Sequence, residues 1–174
     1  MKWHLSILKY ISIVLIIVLI LSAAINIFGA IQQFEFFNDL ADSFYFKSYF
    51  PKRSFEYSLT GQIIFYAINA LLFLYLAYGL RTAPKLISET SEENLFYQHQ
   101  AIEIRKISSA IIVYAKLKFL QILCVGAFFL MAPFNIIGFI PSFLILYILG
   151  KVLILFSKIV EKGELIKQEN ELTI

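Results

Sequence analysis

Negative charge is distributed along this 174-residue chain in a way that leaves few options for its fold. The twelve Asp and Glu residues avoid three long stretches entirely, residues 1–34, 57–88 and 104–160. An ionised carboxylate in hydrocarbon costs several kcal/mol, so acids stay out of the membrane interior unless they have a function there. Hydrophobic side chains make up 60% of the chain, which leaves too little polar surface to coat a soluble core. The acid-free stretches therefore indicate an integral membrane protein.

Two uncharged runs are each long enough to cross a bilayer as a helix. Residues 10–31 and 57–80 contain no charged side chain, and a helix needs about 20 apolar residues to cross the hydrocarbon core. The first run lacks the small-residue cleavage site of a removable signal peptide, so we expect a retained anchor.

The third apolar region, residues 119–150, is too long for one pass and short for two. Pro133, Gly138 and Pro141 lie near its centre, and these residue types interrupt helices. We expect a turn through 133–141, with a re-entrant hairpin as the alternative to two full passes. The predicted passes then cover about residues 10–31, 57–80, 107–132 and 142–160.

Basic residues divide unevenly between the two sides of such a bundle. Residues 1–9 contain two Lys or Arg, loop 81–106 four and residues 158–174 three, whereas the loop 34–56 contains three. The positive-inside rule therefore places both termini, loop 81–106 and the tail 161–174 in the cytoplasm. We expect a single all-α domain with four transmembrane helices.

Polar side chains inside the first two passes fall on single helix faces. Asn26 and Gly29 share a face of pass one, and Gln62, Tyr66 and Asn69 share a face of pass two. Amides seek partners in lipid and small residues let helices approach, so we expect packing contacts. A polar pathway is the alternative.

Three lysines lie inside the last two predicted passes, Lys116, Lys118 and Lys151. Each is expected to extend its ammonium toward the headgroups. If they converge, they form a basic pocket that suits an anionic lipid headgroup.

Two loops show further patterns. The loop 34–56 is rich in aromatic residues, which favour the headgroup level; a ligand site with Asp39 and Asp42 is the alternative. Thr90 and Glu93 have capping-box spacing, which predicts a helix start inside loop 81–106.

Signals of catalysis are missing from the sequence. His4 and His99 have no metal-ligand spacing to another His, Cys or acid, and Cys124 lies in an apolar run. We therefore expect no enzyme, no metal and no cofactor.

The final stretch, FSKIVEKGELIKQENELTI, resembles the ending of the domain-of-unknown-function 2975 family, and LFYQHQAIEIRKI resembles that family's entry to its third pass. His99 and Gln100 depart from the family's usual Glu–Asn pair. The matching positions are Phe96, Ile104, Arg105, Ile107, Phe156, Lys162, Gly163, Glu169, Glu171, Leu172, Thr173 and Ile174. The resemblance implies a small four-pass bacterial inner-membrane protein, often encoded beside a short helix-turn-helix regulator.

These observations favour a non-enzymatic membrane protein whose cytoplasmic surfaces bind or regulate a protein partner. Arg105 and the tail residues Glu164, Gln168 and Glu171 are the candidate partner surface, because the three tail residues share one helix side. The resemblance makes a helix-turn-helix regulator the candidate partner, and we expect no direct nucleic-acid binding by this chain. The alternatives are a transporter or channel subunit that works as a homo-oligomer and a protein that binds anionic membrane lipids.

Overall fold

The computed structural model describes residues 2–32, 59–90, 98–128 and 133–172. Almost all of them are helical. The helices are α1 (Lys2–Gln32), α2 (Leu59–Leu80), α3 (Ala83–Glu89), α4 (Gln98–Phe128) and α5 (Pro133–Leu172). Four of the helices in this described part are long and apolar enough to cross a membrane. The prediction of an all-α membrane protein with four transmembrane helices is therefore confirmed.

Helices α1 and α2 pack antiparallel, with small and aliphatic residues between them. A Cβ atom placed on Gly29 of α1 would lie 3.1 Å from the Tyr66 ring of α2, so the two backbones approach closely there. Leu19 of α1 shares a buried cluster with Leu72 and Leu76 of α2. Residues near the start of α2 therefore contact residues near the end of α1, which shows that the two helices are antiparallel.

Helix α4 is the central element of the bundle because it packs on both α2 and α5. The Tyr114 ring lies 6.3 Å from the Phe73 ring of α2, centroid to centroid. On the opposite side, the fully buried Ser108 hydroxyl donates a 2.6 Å hydrogen bond to the Gly150 carbonyl of α5. Both pairs of helices run antiparallel.

One end of the bundle is rich in charged side chains. The N-termini of α1 and α4 meet there with the C-terminal end of α2 and the C-terminal third of α5. Arg105 of α4 pairs with Glu161 of α5 at 2.8 Å in this region. We call this end the basic end.

The outward faces of α1 and α5 are covered by aliphatic side chains. Leu21 of α1 is 56% exposed and Ile145 of α5 is 67% exposed, in each case among many similar neighbours. Such continuous apolar surface is unstable in water and is satisfied by lipid tails.

The predicted turn through 133–141 is wrong, because α5 begins at Pro133 and continues through Pro141. Proline suits the first helical position, where its missing N–H has no helical partner in any case. Pro141 removes one N–H from the helix interior, a loss that membrane helices tolerate. The connection from α4 to α5 is left to residues 129–132, outside the described residues.

The helices also extend beyond the predicted passes. Helix α4 begins at Gln98, inside the predicted loop 81–106, and α5 continues to Leu172 through most of the predicted tail. Thr90 is the C-cap of α3, and its hydroxyl donates to the Leu86 carbonyl at 2.9 Å. Glu93, the other half of the predicted capping box, and the aromatic loop 34–56 lie outside the described residues.

Candidate functional site

The polar centre of the bundle is built around Lys118 of α4. Its Nζ atom donates hydrogen bonds to Asn69 Oδ1 of α2 and, at 3.2 Å, to Gln121 Oε1 one turn along its own helix. The same ammonium lies 5.6 Å from the centroid of the Phe65 ring, within the range of a cation–π contact. Oxygen atoms and an aromatic face thus take the place of water around the charge.

This cluster lies deep in the bundle. Asn69 precedes Leu80, the last residue of α2, by a helical length of about 16 Å, which is about half of a 30 Å hydrocarbon core. A charged side chain at that depth is costly unless polar groups surround it, and such residues are often functional. Lys118 is therefore a candidate functional residue.

Gln121 fixes the geometry of the cluster from the side of α4. It is buried, and its Nε2 donates a 3.2 Å hydrogen bond to the Phe65 carbonyl of α2 while its Oε1 accepts from Lys118. Because both ends of the amide are engaged, its orientation is set, and the bond ties α4 to α2.

Asn26 of α1 and Asn69 of α2 extend the polar cluster from Lys118 toward α1. Both are almost fully buried, at 3% and 1% exposure. The Asn26 Nδ2 donates to the Ser22 carbonyl at 2.7 Å, whereas Asn26 Oδ1 and Asn69 Nδ2 have no hydrogen-bond partner among the described residues. The antiparallel register set by Gly29 and Tyr66 brings the two amides to the same level. One unsatisfied atom is an acceptor and the other a donor, so the pair is chemically complementary.

The three candidate lysines do not converge. Lys118 points to α2, whereas Lys116 and Lys151 lie on either side of Tyr147, with their Nζ atoms 6.0 and 5.5 Å from its ring centroid. Both of these lysines are exposed. A single pocket formed by all three is therefore ruled out by the direction of Lys118.

A cavity of about 200 Å³ lies beside Lys118, between α4 and α5. Aromatic side chains dominate its lining, among them Phe119 and Phe143, whose rings stack at 4.7 Å between centroids. Ser142 adds a hydroxyl. Sequence reasoning missed this cavity, because its size depends on the separation of two helices.

The candidate partner surface lies at the basic end. Arg105 is occupied by its ion pair with Glu161, so it holds the α5 extension against α4. Gln168 Nε2 donates to Glu164 Oε1 at 3.5 Å along the exposed side of α5. The side chains of Glu171 and Gln62 lie outside what the structure describes.

Metal ligation finds no support in the described ranges, where no group of three or more His, Cys, Asp or Glu side chains is placed to hold an ion. Cys124 is exposed on the apolar side of α4. The described residues form two polar regions, the Lys118 cluster and the charged groups of the basic end.

Neither a curated protein nor a solved structure matches the chain. A family model does match, described as a protein of unknown function (DUF2975), and it covers residues 50–174. The match spans α2 to α5, so it includes Lys118, Asn69 and Gln121, the part of the basic end that these helices form, and the tail, but not α1. This uncharacterised membrane protein with four membrane-spanning helices is thus a member of the DUF2975 family.

Proposed function

We propose that this protein is a non-enzymatic membrane anchor whose basic end binds a protein partner in the cytoplasm. The positive-inside rule supports a cytoplasmic basic end, because Lys and Arg are concentrated in the segments that meet there. The family resemblance implies that this membrane is the bacterial inner membrane.

The observation that carries the proposal is the length of α5. The helix has 40 residues, or about 60 Å, which is about twice the thickness of a hydrocarbon core. It continues for about 17 Å beyond Glu161, the residue that pairs with Arg105. Val160 is buried in a small cluster with Ala101 and Ile104, so the base of this extension is packed against α4. A helix held at its base and extending into water is a suitable surface for a partner.

The extension has a face with defined chemistry. Leu165 is 56% exposed there, and the sequence places another leucine seven positions later, a spacing typical of one helix face. Gln168 lies one turn beyond Leu165, and its Nε2 donates to Glu164 Oε1 at the edge of this face. An apolar stripe next to acidic groups is complementary to an apolar groove with a basic rim. The family resemblance implies a small helix-turn-helix regulator as that partner.

The proposal is tested with two variants that differ only in helix face. Leu165→Lys places a charge on the stripe, whereas Ile166→Lys, at a residue that is 59% exposed, places the same charge about 100° around the helix. Membranes that contain each full-length variant are solubilised, and the cytoplasmic protein that co-purifies is quantified with wild type and with a chain lacking residues 163–174.

We expect co-purification to be retained by Ile166→Lys and lost with Leu165→Lys and with the truncated chain. Recovery of the same partner by the truncated chain would refute the proposal. Equal loss in both lysine variants would also refute it, because the effect would then follow added charge and not the face.

The Lys118 cluster favours a second candidate function, transport by a small carrier or channel subunit, alone or as a homo-oligomer. In transporters, substrate and ion sites usually lie near the middle of the membrane, and charged side chains at that depth mark them. Flux of small anions into proteoliposomes that is abolished by Asn69→Leu but retained by Leu165→Lys would favour this function over partner docking.

A further inference from the structure

A wide groove opens between α2 and α4 at the basic end, separate from the tail face. Its volume is about 660 Å³. The closest approach of the two helices forms part of its wall, where Gly79 meets Ala110. The groove is lined by Tyr75, Tyr78, Gly79, Arg81, Thr82, Ile102, Glu103, Arg105, Lys106, Ser109 and Ala110.

The charges of the groove favour an anion. Arg81, Arg105 and Lys106 line it together with Glu103, and Arg105 is paired with Glu161, so three positive charges meet two negative ones. Arg81 is held in place by the Tyr78 ring, with its guanidinium carbon 4.0 Å from the ring centroid. An arginine stacked in this way keeps its donors pre-organised for a phosphate group.

The other wall of the groove is apolar and open to lipid. Tyr75 and Tyr78 of α2 are 40% and 62% exposed, and both line the groove on the membrane side of Arg81. Tyrosine is typical of the depth where headgroups meet acyl chains. A ligand with a phosphate at one end and hydrocarbon at the other therefore meets complementary surface at both ends.

Glu103 adds a requirement that a phosphate alone does not meet. Its Oε1 accepts a 2.7 Å hydrogen bond from Lys106, whereas its buried Oε2 has no hydrogen bond of normal length and angle among the described residues, although the Thr82 hydroxyl lies near the carboxylate. A buried carboxylate oxygen needs a donor. A headgroup that carries hydroxyl groups beyond the phosphate supplies one.

We propose that this groove binds one anionic phospholipid of the phosphatidylglycerol type. The phosphate lies between Arg81 and Lys106, a glycerol hydroxyl donates to Glu103 Oε2, and the acyl chains follow the wall formed by Tyr75 and Tyr78. Arg105 remains paired with Glu161 and closes the groove on the side of α5. This site shares no residue with the exposed pair Lys116 and Lys151.

The site is tested by native mass spectrometry of the purified full chain in detergent, titrated with defined lipids. Phosphatidylglycerol is compared with phosphatidylcholine of the same acyl chains, and glycerol 1-phosphate serves as the headgroup without chains. The variant Arg81→Gln/Lys106→Gln removes two charges from the groove. Lys116→Gln/Lys151→Gln removes two exposed charges elsewhere and is the matched control. Circular dichroism verifies that both variants keep the helical content of wild type.

We expect one phosphatidylglycerol to be retained per chain, bound at least tenfold more tightly than phosphatidylcholine. The groove variant should lose this preference, and the control variant should keep it. Glycerol 1-phosphate should bind weakly, because the apolar wall contributes nothing to it.

Three results would overturn the inference. One is equal retention of phosphatidylcholine, and another is equal loss in the control variant, which would show a general charge effect. The third is binding of glycerol 1-phosphate as tight as that of the lipid. Each result is independent of the tail face, so the docking proposal can fail while this one holds.

Discussion

The close approach of α2 and α4 provides a quantitative test of the packing. A Cβ atom added at Gly79 would lie well inside 3.0 Å of the Ala110 Cβ, a separation that folded proteins do not show. Carbon atoms prefer separations of roughly 3.5–4.0 Å, so the two helices would have to part by at least about 0.5 Å. A gap of that size costs neighbouring contacts a quarter or more of their dispersion energy, and overpacking typically costs about 1–3 kcal/mol. Because Gly79 is next to the end of α2, the gain in helix propensity from Gly79→Ala offsets little of this.

The assay is unfolding of the purified protein in mixed micelles with increasing mole fraction of sodium dodecyl sulfate. Gly79→Ala should lower the free energy of unfolding by about 1–3 kcal/mol. Ala110→Gly alone should cost about 1 kcal/mol in helix propensity. The double variant Gly79→Ala/Ala110→Gly exchanges the two residues across the contact and removes the clash, so it should keep only the loss of about 1 kcal/mol from helix propensity at residue 110. A Gly79→Ala protein as stable as wild type, or a double variant whose loss is the sum of the two single losses, would refute the predicted contact.

Three further predictions use the same unfolding assay or hydrogen exchange. Asn69→Leu removes a hydrogen-bond acceptor from the Lys118 ammonium and should lower the free energy of unfolding by about 1.5–3 kcal/mol. Adding Lys118→Met should recover much of that loss. A double variant without recovery would contradict the contact between the two side chains. Ser108→Ala should lower the free energy of unfolding by about 1 kcal/mol, because the hydrogen bond to the Gly150 carbonyl of α5 is lost. Ser109→Ala, at the exposed neighbouring position, should leave it unchanged. Equal effects of the two changes would argue against this hydrogen bond. Arg105→Gln should change the free energy of unfolding by under about 1 kcal/mol, because the ion pair with Glu161 is exposed. It should nevertheless speed amide hydrogen exchange in the α5 extension. Unchanged exchange would show that the ion pair does not hold the extension against α4.

The transmembrane helices could be predicted from the sequence because a segment that crosses lipid must be apolar and helical over its whole length. Acid-free apolar stretches of about 20 residues have few alternatives in hydrocarbon, and all four long helices of the described chain lie on such stretches. The exact ends were harder to predict. In the sequence Pro141 predicts a turn, because proline interrupts most helices. In the structure the helix continues through Pro141, since a membrane helix retains enough of its other hydrogen bonds.

The direction of Lys118 could have been found from spacing, because Tyr114, Lys118 and Gln121 fall on one face of α4 at i, i+4 and i+7. Tyr114 and Gln121 both contact α2, which places the lysine between them on the same side. The separation of Lys116 from Lys118 follows from the same periodicity, since residues two apart point about 200° from each other. The 660 Å³ groove could not be predicted, because it depends on the distance between two helices far apart in sequence.

The central claim is a four-pass bundle whose basic end, with the α5 extension, lies in the cytoplasm. Cysteine accessibility in intact cells tests it most directly, in a Cys124→Ala background with a single new cysteine at Ser48, in the loop 34–56, or at Gln168, on the extension. A membrane-impermeant maleimide should label Ser48→Cys from outside and should label Gln168→Cys only after the cells are permeabilised. Labelling of Gln168→Cys in intact cells would place the extension outside and contradict the account.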